Sequence, residues 1–489
     1  MTDITTGTTT GTTTGTTVET AQLELNPEFK GETIRPADHD FDKARAVYNA
    51  SVNRRPALIV RPTGAADVMD AVNYARTAQL PLTVRCGGHS IAGASANEGG
   101  VLVDLSSLKG VHVDVNRGTA IAQGGVLWGE YDRETQLYGR ATPGGRVTTT
   151  GLGGFALGGG YGWLSPKYGL TCDNLVAADV VTADGRLVHV SEDENADLLW
   201  GLRGAGANFG VVTSYELRVH EIPPLLLASI LVLPNQVAAP VVRAYRDYVE
   251  SEAPEELVTA VATILAPPEE FVPAELVGKP VVGILLAYIG DAEEAVAAMA
   301  PLRELVTNAG GMDLVQPMPY TSFQAILDPF NPKGNYNYHR GIHLRQLSDE
   351  VIDRYLKVGS TMQSPLSQGV MFRHAGAVSR VPEDATASSD RAAPYMGHPI
   401  AAWQTPDMAD VEMDWVRRFS EAVAPDSTGG VYLNFEPGTS DVKAGFGEEK
   451  YARLVALKDE WDPTNLFRSN HNIAPTGWKG ATIPTQAGR

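Results

Sequence analysis

The run Val84-Arg85-Cys86-Gly87-Gly88-His89-Ser90 sets a histidine at the end of a glycine-rich turn, directly after a short apolar stretch. Pro81-Leu82-Thr83-Val84 predicts a strand, and Gly87-Gly88 let the backbone turn where side chains would clash. Successive N–H groups in such a turn form a nest suited to a diphosphate. His89 then stands beside whatever the nest holds, with a nucleophilic ring nitrogen. Taken alone, Arg-x-Gly-Gly-His fits a loop histidine satisfied by its neighbours equally well, so the rest of the chain has to decide.

A second cluster runs from Gly151-Leu152-Gly153-Gly154 through Gly158-Gly159-Gly160-Tyr161-Gly162. Counted from Gly151 it gives a dinucleotide fingerprint with Ala156 in the sixth place, and Asp173 follows about 20 residues on, where a ribose-binding acid would stand. Thr148-Thr149-Thr150, however, do not make the apolar first strand that such a fingerprint requires. A Rossmann unit is therefore not expected. The glycines read instead as points where backbone passes close to a ligand, or where helix packs tightly on sheet.

Further motifs follow in order: Lys167-Tyr168-Gly169-Leu170 with Asp173-Asn174-Leu175, then Asn208-Phe209-Gly210-Val211-Val212. The C-terminal part adds Tyr432-Leu433-Asn434-Phe435, Asp462-Pro463-Thr464-Asn465-Leu466-Phe467 and Asn470-His471-Asn472-Ile473. This ordered set, spanning roughly residues 30–480, resembles the flavin oxidases of the vanillyl-alcohol oxidase and p-cresol methylhydroxylase type, in their berberine-bridge-enzyme-like branch.

The resemblance implies an α+β fold and FAD held covalently. His89 matches the histidine joined to the 8α carbon of the flavin, a bond that a neutral imidazole nitrogen can form with an electrophilic quinone-methide. Many members add a cysteinyl tether; the aligned position here is Val147, so a single link is expected. Cys86 reads as a small packing residue. The matching runs assign the cofactor to Arg85, Cys86, Gly87, Gly88, His89 and Ser90, and to Thr149, Thr150, Gly151, Gly153 and Gly154. They continue with Gly158, Gly159, Gly160, Tyr161, Gly162, Asp173, Asn174, Gly210, Val212, Tyr432, Asn434, Asn470 and Asn472. Thr150 matches a position that controls oxygen access, and its small side chain favours an oxidase.

The implied reaction moves a hydride from an alcohol, amine or activated C–H of a small organic substrate to FAD, with reoxidation by dioxygen giving hydrogen peroxide. A dehydrogenase using a quinone or other carrier, and a non-catalytic flavin-binding protein, are the alternatives. For the proton, Tyr432 serves as base if its pKa is depressed, or else packs over the flavin. Relatives use a carboxylate from the inserted domain, but the comparable strand, Val370 to Val378, offers Arg373 and His374 and no Glu or Asp. Arg373 then binds an anionic or carbonyl group and His374 acts as base, unless both are merely solvated strand residues.

The elements that must position these groups fall into blocks. Residues 1–24 open on a Thr/Gly-rich stretch without hydrophobic pattern and read as a disordered leader. The resemblance implies an FAD-binding domain over 25–224 and 430–489, around an inserted α+β substrate-binding domain at 225–429. In the first part Ala57–Val60, Val101–Val103 and Val111–Val113 predict strands, and Ala65–Ala78 a helix. Asp184-Gly185 predicts a hairpin turn, and Pro223-Pro224 a boundary. The insertion predicts strands at Leu226–Leu233 and Val281–Leu286 and helices at Pro240–Ser251 and Glu293–Ala309; the C-terminal part predicts a strand at Val431–Phe435 and a helix at Glu448–Trp461.

With 489 residues and 43% apolar content the chain can bury large cores. A net charge of −19 disfavours nucleic acid and anionic membrane surfaces as partners. Two cysteines, Cys86 and Cys172, make no disulfide framework, and no secretory pattern opens the chain, so a cytoplasmic location is expected.

Overall fold

Leu58-Ile59-Val60 and Val101-Leu102-Val103 are unbroken apolar triplets, the pattern of parallel strands covered on both faces. In the computed structural model, which describes residues 25–270, 272–438 and 442–480, these strands pair in parallel. The four-stranded sheet they build runs in the order Glu32–Ile34, Leu58–Arg61, Val101–Asp104, Leu82–Arg85. Helix Ala65–Thr77 covers it with Val68, Ala71, Val72 and Ala75, all fully buried. The strand Leu82–Arg85 delivers the chain straight into the Cys86–Ser90 loop. The expected leader lies outside the described residues.

A five-stranded antiparallel sheet follows, ordered Val111–Asp114, Thr119–Gln123, Val211–Arg218, Leu175–Val181, Leu187–Val190. Its last two strands form the expected hairpin, turning through Gly185 at φ +83°. The glycine cluster enters the short helix Leu152–Leu157 after only an isolated bridge between Leu127 and Gly151, so no βαβ unit forms there.

The inserted region is built on a nine-stranded antiparallel sheet. Its central strands are Leu257–Leu265, Gln368–Arg373 and Tyr395–Trp403, with the short strand Tyr336–His339 also paired to the last of these. Helices Ala238–Ser251, Ala292–Asn308, Asp349–Gly359 and Ala409–Val423 cover one face. The other face turns Val370, Phe372, Met396 and Ile400 toward Tyr161, Trp163 and Leu164 of the glycine-rich segment. Two expected strands differ. The one read to Val378 ends at Arg373, because Gly376 at φ +71° breaks the extension and begins the short helix Ala377–Arg380. The one read as Val431–Phe435 is instead Ser427–Val431, followed by a 3-10 turn over Leu433–Phe435. Ser427–Val431 pairs with Ile342–Leu344, so the sheet runs past residue 429.

The C-terminal helix Glu448–Trp461 returns the chain to the first region, packing Leu454 and Leu457 with Leu198, Leu199 and Phe209. It is pinned by Lys458, whose ammonium donates to Asn208 O at 2.6 Å and Phe467 O at 2.9 Å and pairs with Asp462 at 2.8 Å. Asp462 accepts the Leu466 and Phe467 N–H groups at 2.7 and 2.8 Å. Neither charged side chain is exposed. Lys458→Met strands the Asp462 carboxylate without its cation and should cost about 3–5 kcal/mol, read as a lower denaturant midpoint by tryptophan fluorescence. An unchanged midpoint would mean that the two N–H donors suffice to hold the carboxylate.

Candidate active site

Two glycines set the geometry of the site. A Cβ on Gly87 would lie 2.3 Å from Gly151 N and 2.7 Å from Thr149 O, and a Cβ on Gly151 would lie 2.3 Å from Gly87 N. The two loops therefore run backbone against backbone, an approach no other residue permits. His89 is carried to the Thr149 hydroxyl, with Nε2 to Oγ1 at 2.9 Å, and its ring stacks on Tyr48 at 4.0 Å. Burial, with the Lys333 charge adding to it, pushes the His89 pKa down to about 3. The imidazole is thus neutral and nucleophilic at physiological pH.

These loops form one wall of a cavity of about 290 Å³. Cys86, Gly87, Gly88, His89 and Ser90 line it with Arg146, Val147, Thr150, Gly151, Gly153, Gly154 and Tyr161. Gly210 and Val212 contribute from the antiparallel sheet, and Asn434, Phe435 and Asn470 from the C-terminal part. The nine-stranded sheet supplies the facing wall through His339, Val370, Phe372, His398 and Ile400. Thr148, beside the tether segment, is held to the inserted region by Asp328, which accepts from its N–H at 2.9 Å. Cys86 lies on the cavity with its thiol on Val126 O at 3.3 Å and its pKa raised by burial to about 11, in keeping with a packing role.

Several residues expected at the cofactor stand off the cavity. Arg85 is occupied by Asp104 at 2.7 Å and Ala44 O at 2.6 Å. Asp173 pairs with Arg391 at 2.6 Å and caps Leu170 N, so it braces a corner rather than meeting a ribose. Asn174 donates to Tyr168 O and Leu170 O and meets His220 at 2.7 Å. Gly158 abuts the Asn434 amide, Gly159 and Gly160 turn at φ +101° and +79°, and Gly162 packs on Gly144. Asn472 lies off the lining, its Oδ1 buried without a hydrogen-bond partner. Thr149 acts by holding His89.

The three expected catalytic residues also miss the cavity. Side chains alternate along a strand, so with Val370 and Phe372 facing the cavity, Met371 and Arg373 face the helices; the Arg373 guanidinium lies 5.1 Å over the Tyr395 ring. His374 follows the strand's end, with Nδ1 3.0 Å from Ala393 O and its ring stacked on His343 at 5.2 Å. Burial and the neighbouring His343 hold its pKa down to about 3. The Tyr432 hydroxyl accepts from Tyr161 N at 2.9 Å and Asn434 Nδ2 at 3.1 Å. Burial raises its pKa, opposite to what a resting base needs.

Among the lining residues that no motif announced, three stand out. His339 and His398 meet edge to face at 5.3 Å, and His398 stacks on Phe435 at 3.6 Å. Both His398 nitrogens and His339 Nε2 are buried without a hydrogen-bond partner. Burial pushes His339 to about 3 and His398 well below its ordinary value, so both rings are neutral. The available signal was alternation: His398 shares a strand face with Met396 and Ile400. Arg146, next to Val147, is the third.

The sequence profile described as "FAD binding domain" matches residues 56–191, and that described as "Berberine and berberine like" matches residues 431–474. An FAD-linked oxidoreductase of Dictyostelium discoideum is 30% identical over 455 residues, 89% of this chain and 94% of its own. The (R)-6-hydroxynicotine oxidase of Paenarthrobacter nicotinovorans is 30% identical over 483 residues, 94% of this chain and all 100% of its own. The chain belongs to the berberine-bridge-enzyme-like FAD-linked oxidoreductases. The crystal structure of 6-hydroxy-D-nicotine oxidase from Arthrobacter nicotinovorans shares the fold at a TM-score of 0.81 and 27% identity, covering 93% of this chain and 99% of that one.

This protein is accordingly an FAD-dependent oxidoreductase, and its residues fit the cofactor. The Gly87–Gly151 cradle, which any Cβ would fill, and the neutral His89 both open on the one cavity. Among the described residues no helix is long and apolar enough to cross a membrane, and no side-chain cluster suits a metal ion.

Three imidazoles, the buried His339 and His374 and the half-buried His220, have pKa values depressed by burial to between about 3 and about 4. Between those values and the unfolded value near 6.5 the unfolded chain binds more protons, so stability rises with pH. Their contribution is complete above about pH 6.5 and is lost as pH falls toward the folded values. The thermal midpoint should therefore drop steadily from about pH 7 to about pH 5, before most carboxylates titrate. A flat profile over that window would show that the rings titrate in the fold as they do in the unfolded chain.

Proposed function

We propose that this enzyme is an oxidase that carries FAD on a single covalent link from His89 and oxidises an alcohol, amine or activated C–H of a small organic substrate. The observation that carries the reading is the neutral His89 ring on the cavity wall, oriented by Thr149 at 2.9 Å. Val147, on the same wall, has no nucleophile to offer as a second tether. FAD supplies the chemistry of hydride acceptance from the substrate and reoxidation by dioxygen to hydrogen peroxide.

The chain's own residues position, exclude water and take the proton. Thr150 is small and lines the cavity, leaving dioxygen a path, which favours an oxidase over a carrier-linked dehydrogenase. His398 is the group best placed as base, since its unbonded ring nitrogens sit on the cavity wall among Phe372, Phe435 and Ile400. Tyr432 serves to hold the Tyr161 backbone. The hydroxynicotine oxidase among the relatives supports a small organic substrate.

Acid precipitation should leave yellow colour in the pellet, and peptide mapping should place one flavin adduct on His89. His89→Ala should release the flavin, and photoreduced wild-type enzyme mixed with dioxygen should yield one hydrogen peroxide per flavin. Flavin found wholly in the supernatant would remove the tether, and reoxidation only by a quinone would leave a dehydrogenase. For the proton, His398→Asn should slow anaerobic flavin reduction by about 10²–10⁴, with flavin content intact. A larger loss in Tyr432→Phe than in His398→Asn would return the role to the phenol.

A further inference from the structure

We propose that the cavity takes a largely apolar, aromatic substrate bearing one carboxylate, and that Arg146 holds that carboxylate. The proposal rests on the reading of this cavity as the flavin enzyme's active site.

Arg146 is only 8% exposed and lines the cavity. Its guanidinium carbon lies 3.5 Å from the Phe372 ring centroid, 4.7 Å from Tyr161 and 5.0 Å from Trp163. Nε and Nη2 are buried without a hydrogen-bond partner, and no ion pair reaches the side chain among the described residues. Other buried arginines have a carboxylate partner, Arg85 in Asp104 at 2.7 Å and Arg391 in Asp173 at 2.6 Å, which Arg146 lacks. Cation–π attraction offsets part of the cost of burying Arg146 but gives its N–H groups no acceptor.

The lining explains what is missing. Glu436 is the one carboxylate on the cavity wall among the described residues, and it is not among the groups whose charge acts on Arg146. Burial lowers the Arg146 pKa to about 10, so the side chain stays charged near neutral pH. A planar fork of donors beside aromatic rings suits a planar carboxylate better than any neutral group. Around it Val370, Phe372, Ile400 and Phe435 offer the body of the ligand apolar and aromatic surface. The positive charge of Arg146 also presses down on the His398 pKa. An anion seated on Arg146 cancels that charge, making His398 more basic when substrate is present.

The test uses flavin-loaded enzyme titrated with benzoate and with its neutral isostere benzamide, followed by flavin difference absorbance. Wild type should bind benzoate in clear preference to benzamide. Arg146→Met should weaken benzoate at least about 30-fold and leave benzamide unchanged, while Arg146→Lys should recover part of the loss. Failure of benzoate to bind wild type, equal binding of the two probes, or an unaltered benzoate affinity in Arg146→Met each overturns the proposal. Loss of sulfite addition to the flavin in Arg146→Met, with benzoate affinity intact, also overturns it and turns the arginine toward the cofactor. Reoxidation of photoreduced enzyme by dioxygen is measured on the same samples. If it fails while benzoate selectivity holds, the oxidase reading falls and the anion site stands.

Discussion

The contact of two bare backbones at Gly87 and Gly151 is the constraint on which the site depends. With 2.3 Å between either virtual Cβ and the opposing amide nitrogen, no side chain can enter without parting the loops. Their union sets His89 against Thr149 and brings Arg146, Val147 and Thr150 onto the same cavity. It also joins two different sheets, since one loop leaves the parallel sheet and the other is bridged to Leu127 beside the antiparallel one.

Buried ion pairs then brace this junction from a distance. Arg85 with Asp104 ties the first loop's root to its own sheet, and Arg391 with Asp173 ties the inserted region to the turn after the glycine cluster. Lys458 with Asp462 closes the returning helix onto the loop at Asn208. Each pair shields both charges and adds further hydrogen bonds to one or both partners, which offsets much of the cost of burying charge. Motif residues that look like ligands in sequence, Arg85, Asp173 and Asn174 among them, are consumed by this bracing. Arg146 differs in having rings for neighbours and no acceptor.

The chemistry of the facing wall is set by strand parity. Phe372 and Arg373 are adjacent, yet one lines the cavity and the other lies over Tyr395 on the helix-covered side. The same parity brings His398 and Ile400 of the next strand to the cavity, opposite His339. A single-residue slip of register would exchange the two sets. Burial leaves the inward imidazoles neutral in the resting protein.

The family, the glycine loops, the alternation of elements and the place of His89 were legible in the amino-acid sequence, because glycines at points of close approach and apolar runs at strand spacing are local signals. The hairpin at Asp184-Gly185 and the helix Glu448–Trp461 were legible for the same reason. Which face of the nine-stranded sheet meets the glycine loops, and hence that His398, His339 and Arg146 line the cavity while Arg373, His374 and Tyr432 do not, emerges from long-range packing alone. That choice is made by packing between elements some two hundred residues apart: whether a ring nitrogen has a partner, or a guanidinium an acceptor, depends on which surfaces close over it, and no spacing within one segment records that.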